Sequence, residues 1–256
     1  MRVTWWGHST VAIQDGSTRL LTDPVVGDRI GHLHRRRGPG PSDAALQVDA
    51  VLISHLHGDH LDLASLRRLD PSVPVLAPVG TRALLGSRRS SAGLARRCQE
   101  VSAGDIVPVG DLAVRVAGAS HDDRRHPWSR HRAAPVTFVV AGSARTWVGG
   151  DTDLHPSMGE LGPVDLALVP VGGWGLSLGS GHLDPARAVE AVSRLRARHA
   201  IPVHYGTFWP IGLDRAGAEL FLPPGRRFAE LAAARAPDTQ VRVLEPGQSW
   251  DLPGVA

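Results

Sequence analysis

The chain has 256 residues, 42% of them hydrophobic and 21% charged, with a formal net charge of +3; it is long enough to bury a sizeable core and too balanced in charge to single out a nucleic-acid binder. It contains no run of eighteen uncharged apolar residues and therefore no expected membrane-spanning helix, and the start MRVTWWGHSTVAIQDG lacks the apolar core and cleavage site of a signal peptide, so a cytoplasmic protein is expected. The single cysteine, Cys98, excludes an internal disulfide and a thiolate metal cluster, and the pI near 10.2 arises because all 28 basic residues are Arg and only one Tyr titrates below them.

Taken in order, the chain opens with apolar strand-type runs at VTWWGHSTVAI and RLLTDPVV, with a hairpin turning at QDGST between them. The next stretch, GDRIGHLHRRRGPGPSD, fits neither a strand nor a helix period and is expected to be a loop, with His32 and His34 solvated among Arg, Gly and Pro. AVLIS follows and runs straight into SHLHGDHLD, after which LDLASLRRL has helical spacing. VPVLAP and DLAVRVAGAS are further strand-type runs, and HDDRRHPWSRHRAAP is a second Arg-rich stretch without a period. PVTFVVAG, RTWVGG, DLALVPVGG, IPVHYG and QVRVLEPG complete the strand-type set. Between them DPARAVEAVSRLRARH predicts a helix capped by Asp184, with Pro185 at its first position and a stripe of Val189, Val192 and Leu195; GRRFAELAAARA predicts another. Alternating strands and helices predict an α/β fold with helices outside the sheets, expected as a single domain over residues 1–256.

Several of these runs end in a residue that binds metals: AVLIS at His55, LAVRVAGAS at His121, RTWVGG at Asp151 and IPV at His204. Strand ends are where loops from separate elements converge, so residues distant in sequence can share one pocket. Within HLHGDH the spacing lets His55 and His57 face one cation while Asp59 and His60, at the turn into the following helix, face a second. Two cations a few ångströms apart need a bridging anion, for which Asp151 is the candidate, and His121 and His204 supply one further ligand each. The expected metal ligands are therefore His55, His57, Asp59, His60, His121, Asp151 and His204. His8 and Asp23 are candidates for orienting those ligands, and His126, His131, His155 and His199 are expected at the surface.

These residues resemble the metallo-β-lactamase superfamily, whose HxHxDH signature is matched by His55, His57, Asp59 and His60, with His121, Asp151 and His204 following in the same order. WWGHSTVAI, LLTDPVV, GGDTD, VDLALVPVGG, GHLDPARAV and IPVHYGTF are similar to the branch that contains the N-acylphosphatidylethanolamine-hydrolysing phospholipase D and the L-ascorbate-6-phosphate lactonase. The resemblance implies an αββα sandwich with the metal site at one edge between the sheets. It also implies a pocket histidine at His182, in SGHLDP, which makes His182 the candidate proton donor to a leaving group. Two departures touch the pocket rim: Asp153 stands where the branch carries Gly, and two acids rather than an aromatic and an Arg follow His121.

The expected function is a metal-dependent hydrolase in which a hydroxide bridging two divalent ions cleaves a phosphodiester, in the manner of a phospholipase D, or a lactone-type ester. Zinc is the first expectation for the metal, and manganese and iron accept the same ligands. Asp59 is expected to orient the nucleophile as well as bind metal. The substrate is expected to be small or lipid-like and anionic, drawn in by Arg29, Arg35, Arg36 and Arg37 in one loop and Arg124, Arg125, Arg130 and Arg132 in the other, with Trp128, Phe208 and Trp209 as an apolar wall. A nuclease is the alternative the Arg content raises, against which stands the absence of an inserted nucleic-acid-binding domain; a non-catalytic metal-binding regulatory module is the other. The sequence leaves the oligomeric state open.

Overall fold

The hairpin expected at QDGST forms between strands Val11–Asp15 and Thr18–Thr22. The apolar run before it is two strands rather than one. Arg2–Trp5 and Val11–Asp15 pair antiparallel across a tight turn closed by Trp6 N–H to Thr10 O at 2.9 Å and Thr10 N–H to Gly7 O at 3.0 Å. Gly7 is required in that turn, because its φ is +96° and an added Cβ would sit 2.6 Å from Thr207 Cγ2. The computed structural model describes residues 1–87, 89–213 and 216–254.

Among the described residues two seven-stranded sheets lie face to face. The first has the order Gln248–Asp251, Arg2–Trp5, Val11–Asp15, Thr18–Thr22, Ala50–Leu52, Val75–Pro78, Cys98–Val101. The second has the order Gln240–Val241, His199–Val203, Leu166–Pro170, Arg145–Val148, Val136–Ala141, Leu112–Gly118, Ile106–Val109. Each is antiparallel in one half and parallel in the other, so in each sheet a set of neighbouring strands ends at the same edge.

The continuous apolar runs follow from burial on both faces of a sheet. Ala50 and Leu52 point into the core between the sheets, while Val51 and Ile53 on the same chain segment point out into a second core. That outer core also takes Leu66, Leu85 and Leu94 from the helices Leu63–Arg68, Thr81–Gly86 and Ala92–Arg97. On the other side, Pro185–Arg194 and Pro223–Arg235 cover the second sheet with Val189, Val192, Phe228 and Ala232. The layers are helix, sheet, sheet, helix. Asp184 caps Pro185–Arg194 through Ala186 N–H and Arg187 N–H, and the stripe of Val189, Val192 and Leu195 is buried, as its spacing predicts. The helices Thr81–Gly86 and Ala92–Arg97 were not legible in the sequence, because six residues present too little periodicity to stand out.

The first Arg-rich stretch is not a loop. Arg29–Ile30 and Leu33–Arg35 form a three-stranded sheet with Phe208–Pro210. Arg35, expected to face substrate, is buried instead: Nη1 donates to Trp6 O at 3.0 Å, Nη2 donates to Val25 O at 3.1 Å, and the guanidinium lies 4.7 Å from the Phe208 ring centre. Burial lowers its pKa, and the charge is retained because the carbonyls replace water as acceptors. Replacing Arg35 with Ala strands the buried Val25 O and the part-buried Trp6 O and empties the space of a buried side chain, a stranded buried acceptor alone costing ~1–3 kcal/mol. Urea unfolding of Arg35→Ala is therefore expected to show a loss of at least about 2 kcal/mol, larger than for any exposed arginine in the same stretch.

Candidate metal centre

Strand ends from both sheets deliver the site. His8 follows Arg2–Trp5, Asp23 follows Thr18–Thr22, and the segment from Ser54 to His60 follows Ala50–Leu52. From the second sheet His121 follows Leu112–Gly118, Asp151 follows Arg145–Val148, and His204 follows His199–Val203. Of the four non-glycine residues with positive φ among the described residues, three are here: His8 at 52°, Asp23 at 37° and His204 at 62°. Conformations of this kind cost of order 1–3 kcal/mol each and persist only where surrounding contacts impose them. Gly150 serves the same corner, since its φ is +57° and an added Cβ would lie 2.3 Å from Ser54 Cβ.

Hydrogen bonds set the tautomer of four of the imidazoles. His60 Nδ1–H donates to Asp23 Oδ2 at 2.8 Å, His204 Nδ1–H to Gly172 O at 2.8 Å, and His121 Nδ1–H to Gly181 O at 2.8 Å. His55 Nδ1–H donates to Ser54 Oγ at 2.9 Å, and that hydroxyl in turn donates to Asp23 Oδ2 at 2.7 Å. In the neutral ring each of these histidines is left with an Nε2 lone pair for the centre. His57 faces inward through Nδ1 instead, 3.1 Å from His121 Nε2.

Asp151 stands between two groups of donors. Its Oδ2 is 3.2 Å from His60 Nε2, 3.9 Å from His121 Nε2 and 4.0 Å from His55 Nε2, and its Oδ1 is 3.1 Å from His204 Nε2. Asp59 Oδ2 lies 3.7 Å from His60 Nε2 and 4.0 Å from His204 Nε2. One group, His55, His57, His121 and Asp151, and another, His8, Asp59, His60 and His204, each bring one ligand atom per residue within 4.8 Å of the others. His8 is better described as a donor to Asp59, because its Nε2 at 2.9 Å from Asp59 Oδ2 must carry the hydrogen for that contact to be attractive.

The donor set fits divalent cations. His55 Nε2 is buried and has no hydrogen-bond partner, and Asp151 Oδ1, although within ion-pair range of His204, makes no hydrogen bond either. His60 Nε2 and His204 Nε2 face each other at 3.2 Å, so either one carries a hydrogen towards the other or both lone pairs point at a shared cation. Burial pushes the pKa of His55, His57, His121 and His204 down, keeping those rings neutral and able to ligate. Burial would push Asp59 and Asp151 up. His60 and His8 around Asp59, and His204, His60 and His182 around Asp151, outweigh it and hold both carboxyls well below the usual range. For His60 burial is likewise outweighed, by Asp151, Asp23 and Asp59, and its pKa lies well above the ordinary value. Buried carboxylates set among imidazoles form a place that favours added positive charge.

All seven side chains expected as ligands are thus brought together, and Asp23 braces two of them. His182 lies beside the cluster, with Nδ1–H donating to Ser180 O at 3.2 Å and Nε2 3.4 Å from Asp151 Oδ2. The sequence did not flag Ser54, Gly150 or Trp174, whose Nε1–H donates to Asp59 Oδ2 at 2.9 Å; the Gly-rich context of Trp174 was its only signal. His32 is no part of the cluster, and its ring meets the edge of Trp174 at 5.0 Å. The second Arg-rich stretch braces rather than opens the site: Arg125 Nη1 donates to the carbonyls of Leu56, His57 and Leu61 at 2.6, 3.2 and 2.8 Å. Arg132 pairs with Asp123, and in the first stretch Arg37 pairs with Glu245.

Residues 18–205 match the family model of the β-lactamase superfamily domain. A UPF0173 metal-dependent hydrolase of Nitratidesulfovibrio vulgaris is 32% identical over 256 residues, covering 98% of this chain and 95% of its own. N-acyl-phosphatidylethanolamine-hydrolyzing phospholipase D 1 of Caenorhabditis elegans is 29% identical over 273 residues, covering 97% of this chain and 75% of its own. Igni18, a metallo hydrolase of Ignicoccus hospitalis, shares the fold with a TM-score of 0.70 at 19% identity, covering 98% of both chains. Partners that orient metal-binding histidines contribute roughly 10–100-fold to metal affinity. Asp23→Ala removes the acceptor of both His60 and Ser54, and competition against a chromophoric chelator is expected to show a loss of divalent-metal affinity of about that size.

Proposed function

The chain belongs to the β-lactamase superfamily, in a family of metal-dependent hydrolases, and from that premise we propose that residues 1–256 form a dinuclear hydrolase that cleaves a phosphodiester or a lactone-type ester. The observation that carries this reading is the position of Asp151, with imidazole nitrogens of both donor groups within 4.0 Å of its carboxylate. His55, His57 and His121 would hold one ion, Asp59, His60 and His204 the other, and Asp151 both. Zinc suits this nitrogen-rich set best, and manganese or iron are the alternatives. When bound, two such cations acidify water towards neutrality to give the nucleophile and neutralise the oxygen on which charge grows.

The chain's own groups do the rest. Asp59, held by His8 and Trp174, orients the nucleophile. His182 carries a proton at Nε2 towards the leaving group: burial lowers its pKa, but the hydrogen bond to Asp151 and the charge of that carboxylate outweigh it and raise the pKa overall. His182 also lines a cleft of about 440 Å³, a size that accommodates a small molecule or part of a lipid. Val171, Trp174, Leu178 and Pro224 give the cleft apolar walls, and its charged lining is mixed, with Arg187 and Arg227 beside Asp153 and Asp184; with Arg187 paired to Asp153, Arg227 is the charge that supports an anionic substrate. Asp153, the residue that departs from the resembled branch, holds Arg187 in that wall through its Oδ1, 2.6 Å from Arg187 Nη2. No helix of the described residues is long and apolar enough to cross a membrane; a cytoplasmic setting is part of the proposal, and the buried free thiol of Cys98 suits a reducing compartment.

Protein purified without chelator is expected to hold close to two equivalents of divalent metal and to turn over bis(p-nitrophenyl) phosphate or a phosphorylated lactone faster than an uncharged lactone. His182→Ala is expected to keep both equivalents and lower turnover by roughly 100-fold. Parallel loss of metal and activity would make His182 a ligand instead, and failure to hydrolyse any of the three compounds would defeat the hydrolase reading.

A further inference from the structure

Between the strand Leu166–Pro170 and the helix Pro185–Arg194 the chain runs through VGGWGLSLGSGHLD. From Gly172 to Gly181 this strap touches the donor cluster at three places, and His182, which follows, adds a contact of its own with Nε2 3.4 Å from Asp151 Oδ2. Gly172 O accepts from His204 Nδ1–H at 2.8 Å, Gly181 O accepts from His121 Nδ1–H at 2.8 Å, and between them Trp174 Nε1–H donates to Asp59 Oδ2 at 2.9 Å. The two glycine contacts are made by backbone, and only the third depends on a side chain.

Packing does not account for the indole. Trp174 is 36% exposed, it is flanked by Gly173 and Gly175, and the ring it meets on its outer side, His32, is itself exposed. Its polar atom, by contrast, is used on a buried carboxylate. An Asp side chain at the turn between a strand and a helix can rotate its carboxylate, and two charge-assisted donors on the same oxygen, the indole and His8 Nε2, fix the plane of that group. Trp174 also lines the 440 Å³ cleft.

We propose that Trp174 is the positioning residue of Asp59, holding the carboxylate in ligating orientation through its indole N–H and linking that orientation to the wall of the cleft. The inference rests on Asp59 being a ligand of the second ion. Trp174→Phe keeps an aromatic wall and deletes only the donor. Metal-free protein titrated with Zn²⁺ against a chromophoric chelator should show two binding steps, and Asp59→Ala in the same titration identifies the step that needs Asp59. In Trp174→Phe that step should weaken by about 10–100-fold while the other stays unchanged. With bis(p-nitrophenyl) phosphate, kcat should fall by a similar factor with KM within about twofold of the parent. His32→Ala, which removes the ring contact and no bond to Asp59, should leave both steps in place.

Two unchanged steps in Trp174→Phe would overturn the proposal. So would equal weakening of both steps with a lowered melting temperature, because that pattern belongs to a strap that has lost its fold. A parent protein that hydrolyses none of the test esters would defeat the functional reading while the Zn²⁺ titration still decides the role of Trp174.

Discussion

One buried carboxylate organises the edge where the two sheets meet. Asp23 accepts from Ser54 N–H at 2.8 Å, from Ser54 Oγ–H at 2.7 Å and from His60 Nδ1–H at 2.8 Å. Through the serine hydroxyl it also fixes the tautomer of His55. The first and last histidines of the HLHGDH segment are thus aimed by a residue that need not touch a cation at all. The positive φ of Asp23 is the cost of placing a carboxylate at that corner, and Thr10 helps to hold it there by donating to Asp23 O at 2.9 Å.

The same edge is where the sheets are tied to one another. Val136 N–H, at the start of a strand of the second sheet, donates to Ser54 O at 2.9 Å, and His204 N–H donates to His8 O at 2.9 Å. Each bond joins a residue carried by one sheet to a residue carried by the other, and each runs through the backbone of the donor cluster or its immediate support. The backbone bonds that close this edge of the sandwich therefore run through the site itself. The apolar faces bring the sheets together, and the polar seam fixes their register at one end.

The donor cluster was readable in the sequence because side chains able to bind metals are of few types, and HLHGDH directly behind an apolar run is a dense local pattern. The later His121, Asp151 and His204 were legible because each stands at the exit of an apolar strand-type run. The supports were not. Ser54 and Gly150 are ordinary strand-exit residues until their mutual approach is known, and the bond from Trp174 spans 115 positions to Asp59. Arg35 and Arg125 misled for a related reason. An Arg-rich surface loop and an Arg that staples carbonyls from beneath have the same composition, and only the direction of the guanidinium separates them. The turn at Gly7 and His8 was hidden inside an apolar run because Trp5 and Val11 on either side both point into the core.

The strap from Gly172 to Gly181 reaches three members of the donor cluster, two by carbonyl and one by indole. Its length is consequently locked: a residue added or removed would shift at least one of those contacts by a whole backbone step of about 3.8 Å. Diversification of substrate range along this stretch must then proceed by exchanging side chains at constant length, at positions such as Leu176, Ser177 and Leu178 that lie between the anchor points.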